Sequence, residues 1–462
     1  MGARGWGDGM PLGSGGVEGR SGERGHGSRG VPCRQQAAKP QSGSRLPQSK
    51  ADGIPVLTNV GTGAGFAITM SGMRMAMAGA LGLALVGCGE KKEVVGEDGG
   101  AGEEAVAGGW KTKDWTLPRG GLALQGRVHD RVPRKPEVAW SFTADAGIIA
   151  AAAIADGVVY VGSVWGTVYA LDAETGEKKW SFETEDTIEA APTVAGGKVF
   201  VGSNYGTLHA LDVGTGEEVW RYNIRDKVSA SVNVVKSPDG TEDWVLLNGY
   251  DGVARCLRAG NGSQVWEFAT DEYINGSPAV IEGKYVVFGG CDAVIYTLNL
   301  ADGKVVNEVV TESYITGTVG TYGRNSYMGN EANQVLASEL LSKDLVWVYG
   351  DSEFSFFSAP AVTENAVFIG GRDKQLHAID RLTGKGLWKF KTGGRVDSSP
   401  LAFDDAVLFG SSDGRLYALD PADGSEVWVL DLGEGLNAPP AFANGMIVIG
   451  GAGDTVFAVR GE

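Results

Sequence analysis

The chain has little of what metal and nucleic-acid chemistry require. Its 462 residues hold only four histidines and four cysteines, Cys33, Cys88, Cys256 and Cys291. No two cysteines form a CxxC pair, which excludes zinc fingers and small disulfide scaffolds. Basic residues are in deficit: 40 Lys and Arg against 57 Asp and Glu leave a formal charge of −17. Such a field repels a phosphate backbone, so nucleic acid is not an expected partner. No apolar run reaches the ~20 residues that span a bilayer. What is abundant is glycine, at 73, and tryptophan, at 12; these predict many tight turns and many large aromatic anchors. Hydrophobic residues at 43% and charged residues at 21% exclude a wholly disordered chain.

Residues 1–69 are rich in Gly, Arg and Ser and show neither helical nor strand periodicity, so nothing there can bury a core. At Met73-Arg74 a short apolar run opens, covering residues 75–86 and ending in Leu85-Val86-Gly87-Cys88. A positive residue, a short apolar stretch and small residues before a cleavage point describe a secretory signal. Leu-Val-Gly-Cys resembles a bacterial lipobox, which implies lipidation of Cys88, a new N-terminus there and a membrane anchor. A short buried helix is the competing reading, but nothing upstream could cover it. The expected organisation is therefore a low-complexity leader or mis-assigned start at 1–69 and a lipoprotein signal peptide at 70–87. A flexible acidic tether at 88–135 and one folded domain at 136–462 would follow.

That domain is periodic. Gly162-Ser163-Val164-Trp165-Gly166-Thr167-Val168-Tyr169-Ala170-Leu171-Asp172 returns forty residues later as Gly202-Ser203-Asn204-Tyr205-Gly206-Thr207-Leu208-His209-Ala210-Leu211-Asp212. It returns again from Gly410, and with more drift around Gly252, Ala293, Asn333, Lys374 and Asp454. Read from Gly166 the intervals are 40, 46, 41, 40, 41, 40 and 40 residues, the long one carrying the turn-rich insertion Ser237-Pro238-Asp239-Gly240. Each unit alternates apolar residues around short Gly-containing turns, the pattern of β-hairpins. Eight units of four short antiparallel strands predict an all-β fold, an eight-bladed β-propeller.

Closure of the ring is also legible. Trp180, Trp220, Trp266, Trp347, Trp388 and Trp428 recur at one position per unit, with Asn307 as the exception in the fourth. The eighth unit stops at Arg460 without its tryptophan, while Trp140 stands forty residues before Trp180 with no full unit ahead of it. The strand at 138–142 is thus expected to complete the last blade. This tryptophan pattern resembles the docking motif of PQQ-repeat propellers, and the likeness covers residues 136–462.

Chemical candidates are few. His209 and His377 take the repeat position of Tyr169 and Tyr417, where a semi-buried aromatic packs, and one histidine per blade cannot build a metal site. Cys256 and Cys291 would pair only if their Cα atoms came within about 7 Å. In the loops between units an apolar set recurs: Ile148, Ile188, Val228, Ile274, Ile315, Phe356, Val396 and Leu436. The residues that follow, Ile149, Glu189, Ser229, Asn275, Thr316, Phe357, Asp397 and Asn437, project differently in extended chain and are expected to ring a central funnel. Tyr273 and Tyr314, just before the apolar set, are candidate exposed anchors for a partner.

Resemblance to PQQ-dependent dehydrogenases would imply calcium and quinone in that funnel. Glu189 and Asn275 match two calcium ligands, but Thr316 stands where an acidic base is wanted and no adjacent cysteines exist to cover the quinone. No catalytic residue, metal or cofactor is therefore expected. The lipobox together with the repeats resembles the BamB-like lipoproteins. That resemblance implies a noncatalytic scaffold, lipid-anchored at the outer membrane and facing the periplasm, which binds protein partners of the β-barrel assembly machinery. A surface propeller binding another protein or a glycan is the further alternative.

Overall fold

Second and third strands in each unit are apolar at nearly every position, whereas outer strands alternate, and this difference follows from where they sit. In the computed structural model, which describes residues 109–462, Val158–Gly162 and Thr167–Asp172 are buried along almost their whole length. Lys178–Glu183, at the rim, half-buries only Trp180 and Phe182 and exposes the rest. A blade flanked on both faces by other blades needs both faces of its central strands apolar. Eight antiparallel four-stranded sheets are arranged in this way.

Seven blades are built from consecutive strands, and the eighth is shared by the two ends of the domain. Glu137–Thr143 pairs antiparallel with Thr455–Arg460, setting Trp140 against Ala458. That strand becomes the outer member of the sheet formed by Ala441–Ala443, Met446–Gly450 and Thr455–Arg460. The expected closure is present.

Blade-to-blade docking uses one device repeated. The indole Nε1 of Trp140 donates to the Ala173 carbonyl in the adjacent blade at 2.9 Å. Trp180, Trp220, Trp266, Trp347 and Trp388 do the same to Val213, Ala259, Leu300, Arg381 and Pro421 at 2.8–3.2 Å. The ring meanwhile lies over a glycine in the neighbouring turn. At Gly176, with φ of +75°, an added Cβ would come 2.7 Å from the Trp140 ring. Both the left-handed backbone and the close approach require glycine there. Trp428 has no such turn to meet, because the eighth blade takes its outer strand from the N-terminal side. Its Nε1 donates instead to Pro133 O at 2.9 Å.

The two faces of the ring differ in composition. Antiparallel alternation puts the inner hairpin turns and the turns before the outer strands at one end, here called the hairpin face; Ala173 N bonds Gly157 O across it at 2.9 Å. Turns between second and third strands share the other end, the funnel face, with the connections between blades. There Asn204 N bonds Thr187 O at 2.8 Å. The recurrent apolar set, Ile148 to Leu436, is buried throughout on this side.

One expectation fails within the described residues. Residues 109–135 are not a free tether; the remainder of that segment, like the leader, signal peptide and Cys88, lies outside the described residues. The segment forms a strap that runs once around the inside of the ring and bonds the innermost strand or its turn in all eight blades. Thr112 O accepts from Asn444 N, Trp115 exchanges two backbone bonds with Ile154, and Thr116 O accepts from Val194 N. Leu122 O takes both Asn233 Nδ2 and Val280 N. Ala123, Gln125 and Gly126 carbonyls accept from Thr321, Val362 and Ala402. Trp115, Leu124, Val128 and Val132 are all buried. Composition misled here: the acidic, glycine-rich character of residues 89–108 was extended across a stretch whose apolar residues have no repeat partner to reveal them.

Candidate functional site

The strap closes the hairpin end of the central channel and leaves a blind funnel opening on the other face. Its cavity, of about 160 Å³, is lined by Ile149, Glu189, Ser229 and Asn275 from the expected ring and by Pro118 and Arg119 from the strap. The other four ring residues are not part of that cavity. Phe357 lies under the Arg372 guanidinium at 3.9 Å, and Arg372 Nε donates to Asp397 Oδ1 at 2.9 Å, so these side chains hold one another. Thr316 Oγ1 and Asn437 Oδ1 are sequestered from solvent with no hydrogen-bond partner.

Arg119 is the most unusual group in the site. It adopts a left-handed backbone (φ +56°, ψ +20°), a region that non-glycine residues occupy at a cost of roughly 1–3 kcal/mol. Its side chain is buried, and Nη1 and Nη2 donate to the carbonyls of Ser399 (3.2 Å), Pro360 (3.1 Å) and Pro400 (2.6 Å). Among the described residues no carboxylate pairs with it, and Nε has no acceptor. Burial of this uncompensated cation pulls its pKa down to about 9. Gly126 has no side chain because any Cβ would overlap the guanidinium. Nothing in the repeat pattern could have revealed Arg119; the only local sign is a lone Arg in Pro118-Arg119-Gly120-Gly121.

The two tyrosines expected to be exposed are half-buried. Tyr273 stacks on Tyr250 with ring centroids 5.0 Å apart and planes at 17°, and Lys227 Nζ sits 4.6 Å from the centre of the Tyr250 ring. Tyr314 is fixed through its carbonyl, which accepts from Glu331 N at 3.1 Å. The insertion at Ser237 is the inner hairpin turn of the third blade and so lies on the hairpin face, opposite these tyrosines. Side chains that do project are Trp165, 73% exposed, and Tyr205, 70% exposed, at equivalent positions in the funnel-face turns of the first two blades. Their signal was available: a large aromatic before the glycine of a tight turn has no packing reason to be there.

His209 and His377 are fully buried, beyond the semi-buried packing expected of them, and both meet carboxylates. His209 is bonded to Glu218 (2.7 Å) and Glu185 (3.1 Å), and His377 to Asp373 (2.8 Å) and the Tyr349 hydroxyl (3.0 Å). The Asp373–His377 spacing is part of a repeat device, since Asp251–Arg255, Asp292–Tyr296 and Asp413–Tyr417 pair in the same way. Cys256 is buried and free, so the Cys256–Cys291 pairing does not form.

Of the parts that a calcium-bound quinone would need, the funnel brings two residues together. Glu189 and Asn275 do meet there, but among the described residues no three His, Cys, Asp or Glu side chains come together as a metal site. Thr316 offers no base. The cavity is also smaller than the roughly 300–1,000 Å³ usual for organic ligands.

Eight four-stranded blades, tryptophan docking between them and a closing N-terminal strand define a PQQ-repeat β-propeller. The chain belongs to the family described as outer membrane protein assembly factor BamB, whose model matches residues 125–238, 187–319, 250–376 and 344–462 in overlapping passes. No curated protein sequence matches. Among solved structures, BamB from Moraxella catarrhalis is similar at 21% identity and a TM-score of 0.58, over 70% of this chain and 97% of that one. The computationally designed Ika8 protein is similar at 17% identity and a TM-score of 0.61, over 70% and 99%. The quinohemoprotein alcohol dehydrogenase from Comamonas testosteroni gives 15% and 0.64, over 77% and 82%. At these identities the likeness is one of fold, which an assembly factor, a design and an enzyme share.

Proposed function

We propose that this propeller is a noncatalytic scaffold, lipid-anchored through Cys88 at the periplasmic side of the outer membrane, that holds a protein partner during assembly of outer-membrane proteins. Membership of the BamB family supports the setting, and Leu85-Val86-Gly87-Cys88 supports the anchor. The observation that carries the binding role is the pair Trp165 and Tyr205, presented on adjacent rigid turns of the face onto which the funnel opens. Aromatic side chains on a pre-ordered surface bury much area at little entropic cost, which is why they dominate interface energetics.

The test is photo-crosslinking from positions 165 and 205 in native membranes, followed by mass spectrometry of the captured protein. Capture of a β-barrel assembly component supports the reading. It fails if no envelope protein is captured, or if the purified protein oxidises alcohols or sugars when supplied with calcium and PQQ. Mass spectrometry of the membrane-extracted chain tests the anchor, which requires a diacylglyceryl group on Cys88 and loss of residues 1–87.

A further inference from the structure

We propose that the blind funnel is a binding site for a small oxyanion, of the size of a simple carboxylate, held at Arg119. The argument starts from an unpaid charge. A guanidinium has five N–H donors and no acceptor. In Arg119 three donations are made to carbonyl oxygens, Nε makes none, and among the described residues no ion pair involves it. A cation removed from water without a counter-charge is costly, and such groups are normally paired. Here the protein builds the situation deliberately: a left-handed backbone at Arg119 turns the strap, and glycine at 126 makes room for the guanidinium.

The surroundings favour an anion small enough to be enclosed. Ser229, Ser231, Ser277, Thr318 and Ser399 line the cavity with hydroxyls, each able to donate. The one acidic group in the lining, Glu189, is solvent-exposed, whereas Arg119 is buried in the floor. Charge in the site therefore runs from negative at the opening to positive at the base. A cavity of about 160 Å³ has room for acetate or a small hydroxy or amino acid. This site is independent of partner capture on the rim; either can fail without the other.

The experiment uses the full chain. Sodium acetate is titrated against sodium chloride at matched ionic strength, with binding read by calorimetry and by broadening of the acetate NMR signal. Saturable binding with a dissociation constant on the order of millimolar is expected for one charged contact in a polar pocket. Phosphate serves as the tetrahedral comparison and is expected to bind more weakly. Arg119→Gln should abolish binding and Arg119→Lys weaken it. Because Arg119 also fastens the strap, Ala191→Leu supplies an independent control: it fills the cavity from its wall without touching the Arg119 bonds and should abolish binding while the protein stays folded. Absence of saturable acetate binding, a response equal to chloride, or acetate binding unchanged in Ala191→Leu each overturns the proposal.

Discussion

Asn307 Nδ2 donates to Ser342 O at 2.6 Å, the bond that an indole makes at the corresponding position of the other blades. Sequence periodicity marks Asn307 as the break in the tryptophan series, yet the amide preserves the link between the fourth and fifth blades and leaves out only the ring. Replacing Asn307 by Ala should cost about 1–2 kcal/mol, the usual loss for a bond of this kind whose acceptor is left unpaired. Asn307→Asp, equal in size but unable to donate when ionised, should cost at least as much. Urea unfolding monitored by tryptophan fluorescence checks both, with a lower midpoint and an unchanged slope as the expected result.

Closure of the ring concentrates its risk at Trp140, whose strand is the only covalent continuation of the strap into the eighth blade. Trp140→Ala removes a buried indole together with its bond to Ala173, and roughly 3–5 kcal/mol is the expected loss. Deletion of residues 109–135 should also lower the melting temperature strongly, because it exposes inner-strand N–H groups of several blades, among them Val194, Val280, Thr321 and Val362. A melting temperature unchanged by that deletion would show that the strap contributes nothing to the ring.

The blades could be read from the sequence because every one repeats the same solution: an apolar central pair of strands, a glycine turn and a docking tryptophan. The eightfold count, the closing strand and the buried loop set Ile148 to Leu436 all follow from that redundancy. Half of the funnel ring followed too, since Ile149, Glu189, Ser229 and Asn275 do line one cavity. What escaped is what occurs once. The strap makes its contacts through backbone atoms that composition cannot display, Arg119 lies outside the period, and the stacking of Tyr273 on Tyr250 joins a pair of tyrosines that the other units lack. Single, long-range relationships leave no periodic trace.

Acid stability should depend on the buried Asp373–His377 pair. Burial raises the Asp373 carboxyl, but donation from His377 Nε2 at 2.8 Å and from Gln375 outweighs it, and the net shift is downward. A carboxyl whose folded pKa lies below its unfolded value of ~3.9 contributes stability that is present above that value and is lost as pH falls through the folded pKa. Asp373→Asn keeps an acceptor for His377 but cannot titrate. Its unfolding free energy should therefore vary less steeply than that of the wild type below about pH 4. Urea midpoints measured from pH 2.5 to 7 make the comparison.

Two pairs of aromatic residues on one face separate binding from packing. Trp165 and Tyr205 are exposed and touch no other ring, so Trp165→Ser with Tyr205→Ser removes no core contact and should leave the melting temperature nearly unchanged. If they are anchors, capture of the native partner should weaken by ~2 kcal/mol or more, a loss of about thirtyfold in affinity. Tyr273 and Tyr314 are half-buried, and Tyr273 is stacked on Tyr250. Their replacement by Ser should instead lower stability by about 1–2 kcal/mol, through loss of the stacked pair and its buried area. Pull-down and thermal melting on the same two double mutants give a crossed result when this assignment is right: one loses capture and keeps its stability, and the other does the reverse. Parallel losses in both assays for the Trp165 and Tyr205 variant would mean that these side chains support the blades rather than a partner.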